Sequence, residues 1–130
     1  MAIGHKERIK EGQKPTPTRV YSKKQEDQVA KTIGGQRTPN SGATAWSKGD
    51  VLTSGGESSF LIECKTKTTH TDSIKINKEW FEKNRAEMAF MGKKHQSIAF
   101  NFGPGEELHY IIDEYLFLEL LDHLKSKENK

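Results

Sequence analysis

Residues 50–67 read Asp50-Val51-Leu52-Thr53-Ser54-Gly55-Gly56-Glu57-Ser58-Ser59-Phe60-Leu61-Ile62-Glu63-Cys64-Lys65-Thr66-Lys67. Two strand-compatible runs, 50–53 and 59–66, flank a Ser-Gly-Gly-Glu segment rich in turn formers, so the stretch predicts a β-hairpin. Alternation along the second run sends Phe60, Ile62 and Cys64 to one face and Leu61, Glu63 and Lys65 to the other. A turn centred between Gly56 and Glu57 sets Asp50 directly opposite Glu63; a turn centred on Gly55-Gly56 makes them diagonal neighbours. In either register, two carboxylates facing the same way are close enough to share a divalent cation, because opposed Cβ atoms lie about 5 Å apart.

A carboxylate and an ammonium at the end of an apolar strand are costly to bury, so their presence asks for a reason. Metal-assisted phosphodiester hydrolysis supplies one. Hard oxygen ligands hold Mg²⁺ or Mn²⁺, and a lysine positions the attacking water or a phosphate oxygen. The competing assignment of the same residues is a solvent-exposed cross-strand ion pair beside a turn aspartate.

Upstream, residues 22–33 suit a helix, with Ser22 as N-cap, Gly34-Gly35 as the stop and Val29, Ala30 and Ile33 as a narrow apolar edge. Glu26 and Asp27 are about 100° apart on that helix, so only one can face a site; Glu26 shares a face with Ser22, Val29 and Ile33. Residues 34–49 form a long polar loop, of a length usually given over to function or disorder. In it the Ser41 hydroxyl and neighbouring backbone N–H groups suit phosphate, with Arg37 and Lys48 adding charge. Trp46 has two open readings, stacking on an exposed base or packing under the loop.

Downstream, 74–91 reads as a helix carrying Ile76, Trp80, Asn84, Met88 and Met91 on one side, followed by strands at 97–102 and 108–112. A final helix at 113–127 has acids at its start, lysines at its end and a stripe of Phe117, Leu120, Leu121 and Leu124. The order α, β, β, α, β, β, α predicts a small mixed sheet in an α/β fold with helices covering both faces. Lys75, Lys78, Arg85, Lys93 and Lys94 are candidates to extend a phosphate-binding track, and Cys64 reads as a small core hydrophobe.

The whole chain is 130 residues with a net charge of +3, enough for one domain. Residues 1–48 contain ten Lys/Arg against four Asp/Glu, a local charge of +6. A basic front on a balanced body favours a polyanionic partner contacted from one side. Residues 1–20, with Gly12, Pro15, Pro17 and few apolar side chains, read as a flexible basic arm, and 21–130 as the domain. No apolar run approaches the roughly 18 residues of a membrane span. With one cysteine and no signal-peptide pattern, the expectation is a cytoplasmic location.

From Ser22 to Lys67 the chain resembles the PD-(D/E)xK nuclease superfamily, and within it the archaeal and phage Holliday-junction resolvases. The residues carrying the likeness are Gln25-Glu26-Asp27 in the first helix, Arg37 and Asn40-Ser41-Gly42-Ala43 in the loop, Gly49-Asp50-Val51, and Ile62-Glu63-Cys64-Lys65. Gly49 stands where the motif has proline, a change that removes no ligand. Beyond Lys67 the likeness is one of element order alone.

The resemblance implies a restriction-endonuclease-like core and Mg²⁺-dependent cleavage of four-way DNA junctions by a homodimer, with Mn²⁺ able to substitute. It implies a metal site of Asp50 and Glu63, completed by Glu26 and the Cys64 backbone carbonyl, with Lys65 orienting the attacking water and Ser41 as a further important residue. Lys23 and Lys24 join Arg37, Ser41 and Lys48 as expected DNA contacts. A restriction-type, nicking or repair nuclease, or a DNA-binding module without catalysis, are the other classes the residues permit.

Overall fold

The computed structural model describes residues 18–37 and 50–129. Ser41, Trp46 and Lys48 therefore lie outside the described residues, as does most of the expected basic arm. The elements run α1 (Thr18–Ile33), β1 (Gln36–Arg37), β2 (Asp50–Leu52), β3 (Phe60–Lys65), α2 (Lys78–Phe90), β4 (His95–Phe100), β5 (His109–Ile111) and α3 (Glu114–Glu128). They build an α/β domain on one five-stranded sheet of order β1-β2-β3-β4-β5, in which β3 and β4 are parallel and the other pairs antiparallel.

The β2–β3 hairpin takes the register centred between Gly56 and Glu57: Asp50 pairs with Glu63, Val51 with Ile62 and Leu52 with Leu61. Thr53 locks the loop, its hydroxyl donating to the Ser58 carbonyl at 2.7 Å and accepting the Phe60 N–H at 2.7 Å. Alternation then separates the two faces of the sheet. Val51, Ile62 and Ala99 pack with Val29 and Ala30 of α1, and Cys64 and Phe60 lie against that cluster. The other face presents Asp50, Leu61, Glu63 and Ile98, all buried. On that side α2 approaches, its Asn84 side-chain amide donating to the Ser97 carbonyl at 3.3 Å.

Several boundaries differ from the sequence reading. α1 begins at Thr18, one turn before the expected Ser22 cap. Two residues of the supposed loop, Gln36 and Arg37, pair with Leu52 and Val51 as edge strand β1. α2 begins only after Asn77, and the preceding residues are not helical. β4 starts two residues early, because parallel pairing with β3 continues down to Phe60↔His95. His95 is held there by Tyr115 Oη at 2.8 Å and the Glu57 carbonyl at 2.7 Å.

The last helix is largely exposed. Of α3 only Leu116 is buried, while Phe117, Leu120 and Leu124 are 54%, 49% and 58% exposed. The start of the helix is tied down through Asp113, whose carboxylate accepts from Arg85 at 3.3 Å and Gln96 at 3.0 Å instead of capping its own helix.

Candidate functional site

The acids of the hairpin meet on the α2 side of the sheet. Asp50 and Glu63 are direct cross-strand partners, and both are buried. Lys65, two residues further along the same face of β3, places its Nζ 2.5 Å from Glu63 Oε2. The same ammonium lies 4.3 Å from the centre of the Trp80 ring, a cation–π contact that fixes its direction. Glu63, Lys65, Glu79, Trp80 and Lys83 line an open cleft of about 290 Å³, so the lysine faces solvent-accessible space while the aspartate stays behind it.

A third acid joins them that sequence reasoning did not select. Glu87, on α2, is 1% exposed and within hydrogen-bonding reach of Asp50. Among the described residues no N–H or O–H donor reaches either carboxylate oxygen of Asp50 or Oε1 of Glu87. Burial, reinforced by the Glu87 and Glu63 carboxylates, pushes the Asp50 pKa well above the usual range, and burial raises Glu87 as well. Two buried carboxylates in contact cannot both stay ionised without a proton or a cation between them. Lys83 is the nearest compensating charge, 3.9 Å from Glu87 Oε2 and itself largely exposed.

Glu87 had a sequence signal. Trp80, Asn84, Glu87 and Met91 recur at the i, i+4, i+7, i+11 spacing of one helix face, so Glu87 falls on the stripe that packs inward. What hid it was Lys83, four residues before it, which makes the pair look like an ordinary surface ion pair.

Glu26 has a different place from the one expected. It is buried, and Asp27 points outward, as the helix geometry required. But α1 packs on the face of the sheet opposite to Asp50, and Arg37 takes the Glu26 carboxylate at 3.3 Å and that of Asp27 at 3.4 Å. Desolvation raises the Glu26 pKa, and the Arg37 guanidinium opposes the rise. The structure thus brings together Asp50, Glu63 and Lys65, leaves Glu26 engaged with Arg37, and sets Glu87 beside Asp50.

Arg37, expected on phosphate, is committed to those two acids. Lys23 and Lys24 are exposed on α1, and Lys24 lines a second cleft of about 200 Å³ with Gln25, Thr66 and Lys67. Gln25 clasps the end of β3 there, its amide donating to the Lys65 carbonyl at 3.0 Å and its oxygen accepting from Thr66 Oγ1 at 2.5 Å. Of the supposed phosphate track, Arg85 pairs with Asp113, Lys94 with Glu57, and Lys93 donates to the Thr53 carbonyl. Cys64 packs against the α1 core, and burial followed by the surrounding acids raises its pKa, so it stays a thiol.

Whether a cation suits this site is decided by its unsatisfied atoms. Both Asp50 oxygens and Glu87 Oε1 are buried acceptors in need of positive charge, and oxygen-only donors match the preference of Mg²⁺ or Mn²⁺. As the side chains stand, no group of three His, Cys, Asp or Glu among the described residues is placed to hold a metal ion, and Glu63 is paired with Lys65. A larger apolar groove of about 500 Å³ on the α1 face, lined by Ile33, Phe60, Ile62 and Tyr110 among others, carries neither a carboxylate nor an ammonium. Comparison with family models, curated proteins and solved structures finds no match.

Proposed function

We propose that this chain is a metal-dependent DNA endonuclease of the PD-(D/E)xK type with a restriction-endonuclease-like core, acting as a homodimer on four-way DNA junctions. The observation that carries this reading is the direct Asp50↔Glu63 pairing with Lys65 on the same face, together with an Asp50 carboxylate that is buried and receives no donor from the described residues. A protein that merely binds DNA gains nothing from carboxylates facing phosphate.

Asp50 and Glu63 would hold the divalent ion, which when bound supplies charge stabilisation at the scissile phosphate and lowers the pKa of the attacking water. Lys65 alternates between partners. Paired with Glu63 it is parked; released from Glu63, its ammonium is free to orient the water or a phosphate oxygen at the mouth of the cleft. Trp80 limits the directions it can take, and Gln25 fixes the backbone beneath it. Cleavage of the P–O3′ bond would leave a 5′-phosphate and a 3′-hydroxyl, as the sequence resemblance implies.

The test is cleavage of a synthetic four-way junction with Mg²⁺. The wild type is expected to cut, and Glu63→Ala to lose at least 100-fold in rate while still binding the junction, because neutralisation of phosphates by Lys/Arg supplies much of the affinity. Cutting that survives Glu63→Ala or excess EDTA overturns the mechanism. Duplex, flap and single-stranded substrates in the same assay separate a junction enzyme from restriction-type, nicking and repair nucleases.

A further inference from the structure

We propose that Glu87 is the third cation ligand of this site, occupying the role that the sequence resemblance gives to Glu26. The inference rests on the nuclease reading above and concerns which acids of this chain hold its metal. Three observations carry it. Glu87 and Asp50 are each 1% exposed and in contact, and among the described residues no N–H or O–H donor reaches either Asp50 oxygen or Glu87 Oε1. Such an arrangement is unfavourable unless something positive stands between the two groups. Lys83, largely exposed, pairs with the other Glu87 oxygen at 3.9 Å and makes no hydrogen bond to the Asp50 oxygens.

Glu26, by contrast, already has its counter-charge. Its carboxylate is held by Arg37 and lies on the α1 side of the sheet. Recruiting it would mean breaking that pair. Glu87 needs no such movement, since it projects from α2 onto the face that carries Asp50 and Glu63. Completing the site then requires only that Glu63 turn from Lys65, which frees the lysine as well.

The experiment is calorimetric titration of Mn²⁺ alone into the full chain, without DNA, for the wild type, Glu87→Gln and Glu26→Gln. Mn²⁺ affinity is expected to fall at least tenfold in Glu87→Gln and to stay within twofold in Glu26→Gln. Glu87→Gln should fold, because the glutamine amide gives Asp50 the donor it lacks; its melting temperature in EDTA is expected at or above that of the wild type, with the Mn²⁺-induced rise lost.

Unchanged affinity in Glu87→Gln overturns the proposal, as does a tenfold loss confined to Glu26→Gln. If Glu87→Gln does not fold, Glu87→Asp decides, since withdrawing the carboxylate by one methylene should weaken Mn²⁺ binding severalfold, and wild-type affinity there overturns the proposal equally. Failure of the nuclease reading shows separately: the wild type then binds no Mn²⁺, or binds it and leaves every DNA substrate intact.

Discussion

Asp50 is a carboxylate held out of water beside two others, and its ionisation is coupled to folding. Its pKa is raised from 3.8 to about 9 in the metal-free protein, by burial first and then by Glu87 and Glu63. A carboxylate raised on folding binds more protons folded than unfolded, so its contribution is fully present below about pH 4 and is lost as pH rises through about 9. The slope for one such proton is at most about 1.4 kcal/mol per pH unit. Urea unfolding in EDTA between pH 5 and 9 should therefore show stability falling with pH in the wild type, and a shallower fall in Asp50→Asn. Equal slopes in the two proteins would mean that Asp50 is not the group responsible. The asparagine variant should also be more stable than the wild type at pH 8, and unable to cleave.

Among the elements, the hairpin was legible in the sequence because two strand-compatible runs flank a Gly-Gly segment of turn formers, and a one-residue slip would have turned Val51 and Ile62 away from α1. β1 was not legible. It is two polar residues at a sheet edge, placed by pairing with β2 rather than by any pattern of its own. The cause lies just before it. Gly34, at φ +73°, ends α1, and a Cβ on Gly35 would stand 2.7 Å from the Leu52 carbonyl oxygen. Only glycine lets the chain pass that close to β2.

The same reasoning explains the third acid. Residue spacing tells which helix face carries Glu87, but whether that face lies on Asp50 or in solvent is decided by the crossover from β3 through α2 to β4. Sequence likewise marked Glu26 as inward without showing which side of the sheet inward means. Gly35→Ala should lower stability by about 1–3 kcal/mol, since the obstructing atom is backbone and cannot rotate away. Because β1 borders the strand that begins at Asp50, the variant should lose junction cleavage at temperatures where it is still folded. A melting temperature within a degree of the wild type would show that β2 can move aside.

At the scale of the whole molecule, the unspent surface is on α3. Leu116, Phe117, Leu120, Leu121 and Leu124 share one arc of the helix, yet only Leu116 is buried. The exposed part of that arc amounts to on the order of 300 Å² of apolar surface, the size of the largest apolar patch of a typical monomer and over a third of the roughly 800 Å² each partner contributes to a standard interface. An isologous pair of α3 helices would cover it and give the two-fold arrangement that paired cuts across a junction require. Light scattering of the wild type should then give twice the chain mass of 14.7 kDa, and Leu120→Glu with Leu124→Glu should give the chain mass alone, because two carboxylates cannot be left unpaired in a dry interface. On the proposed junction-cutting function, the dimer should produce linear DNA in one binding event from a supercoiled plasmid that extrudes a cruciform. The monomeric variant, its Asp50 site untouched, should instead accumulate nicked circles. Linear product formed as readily by the variant as by the wild type would mean that the two cuts do not depend on this helix.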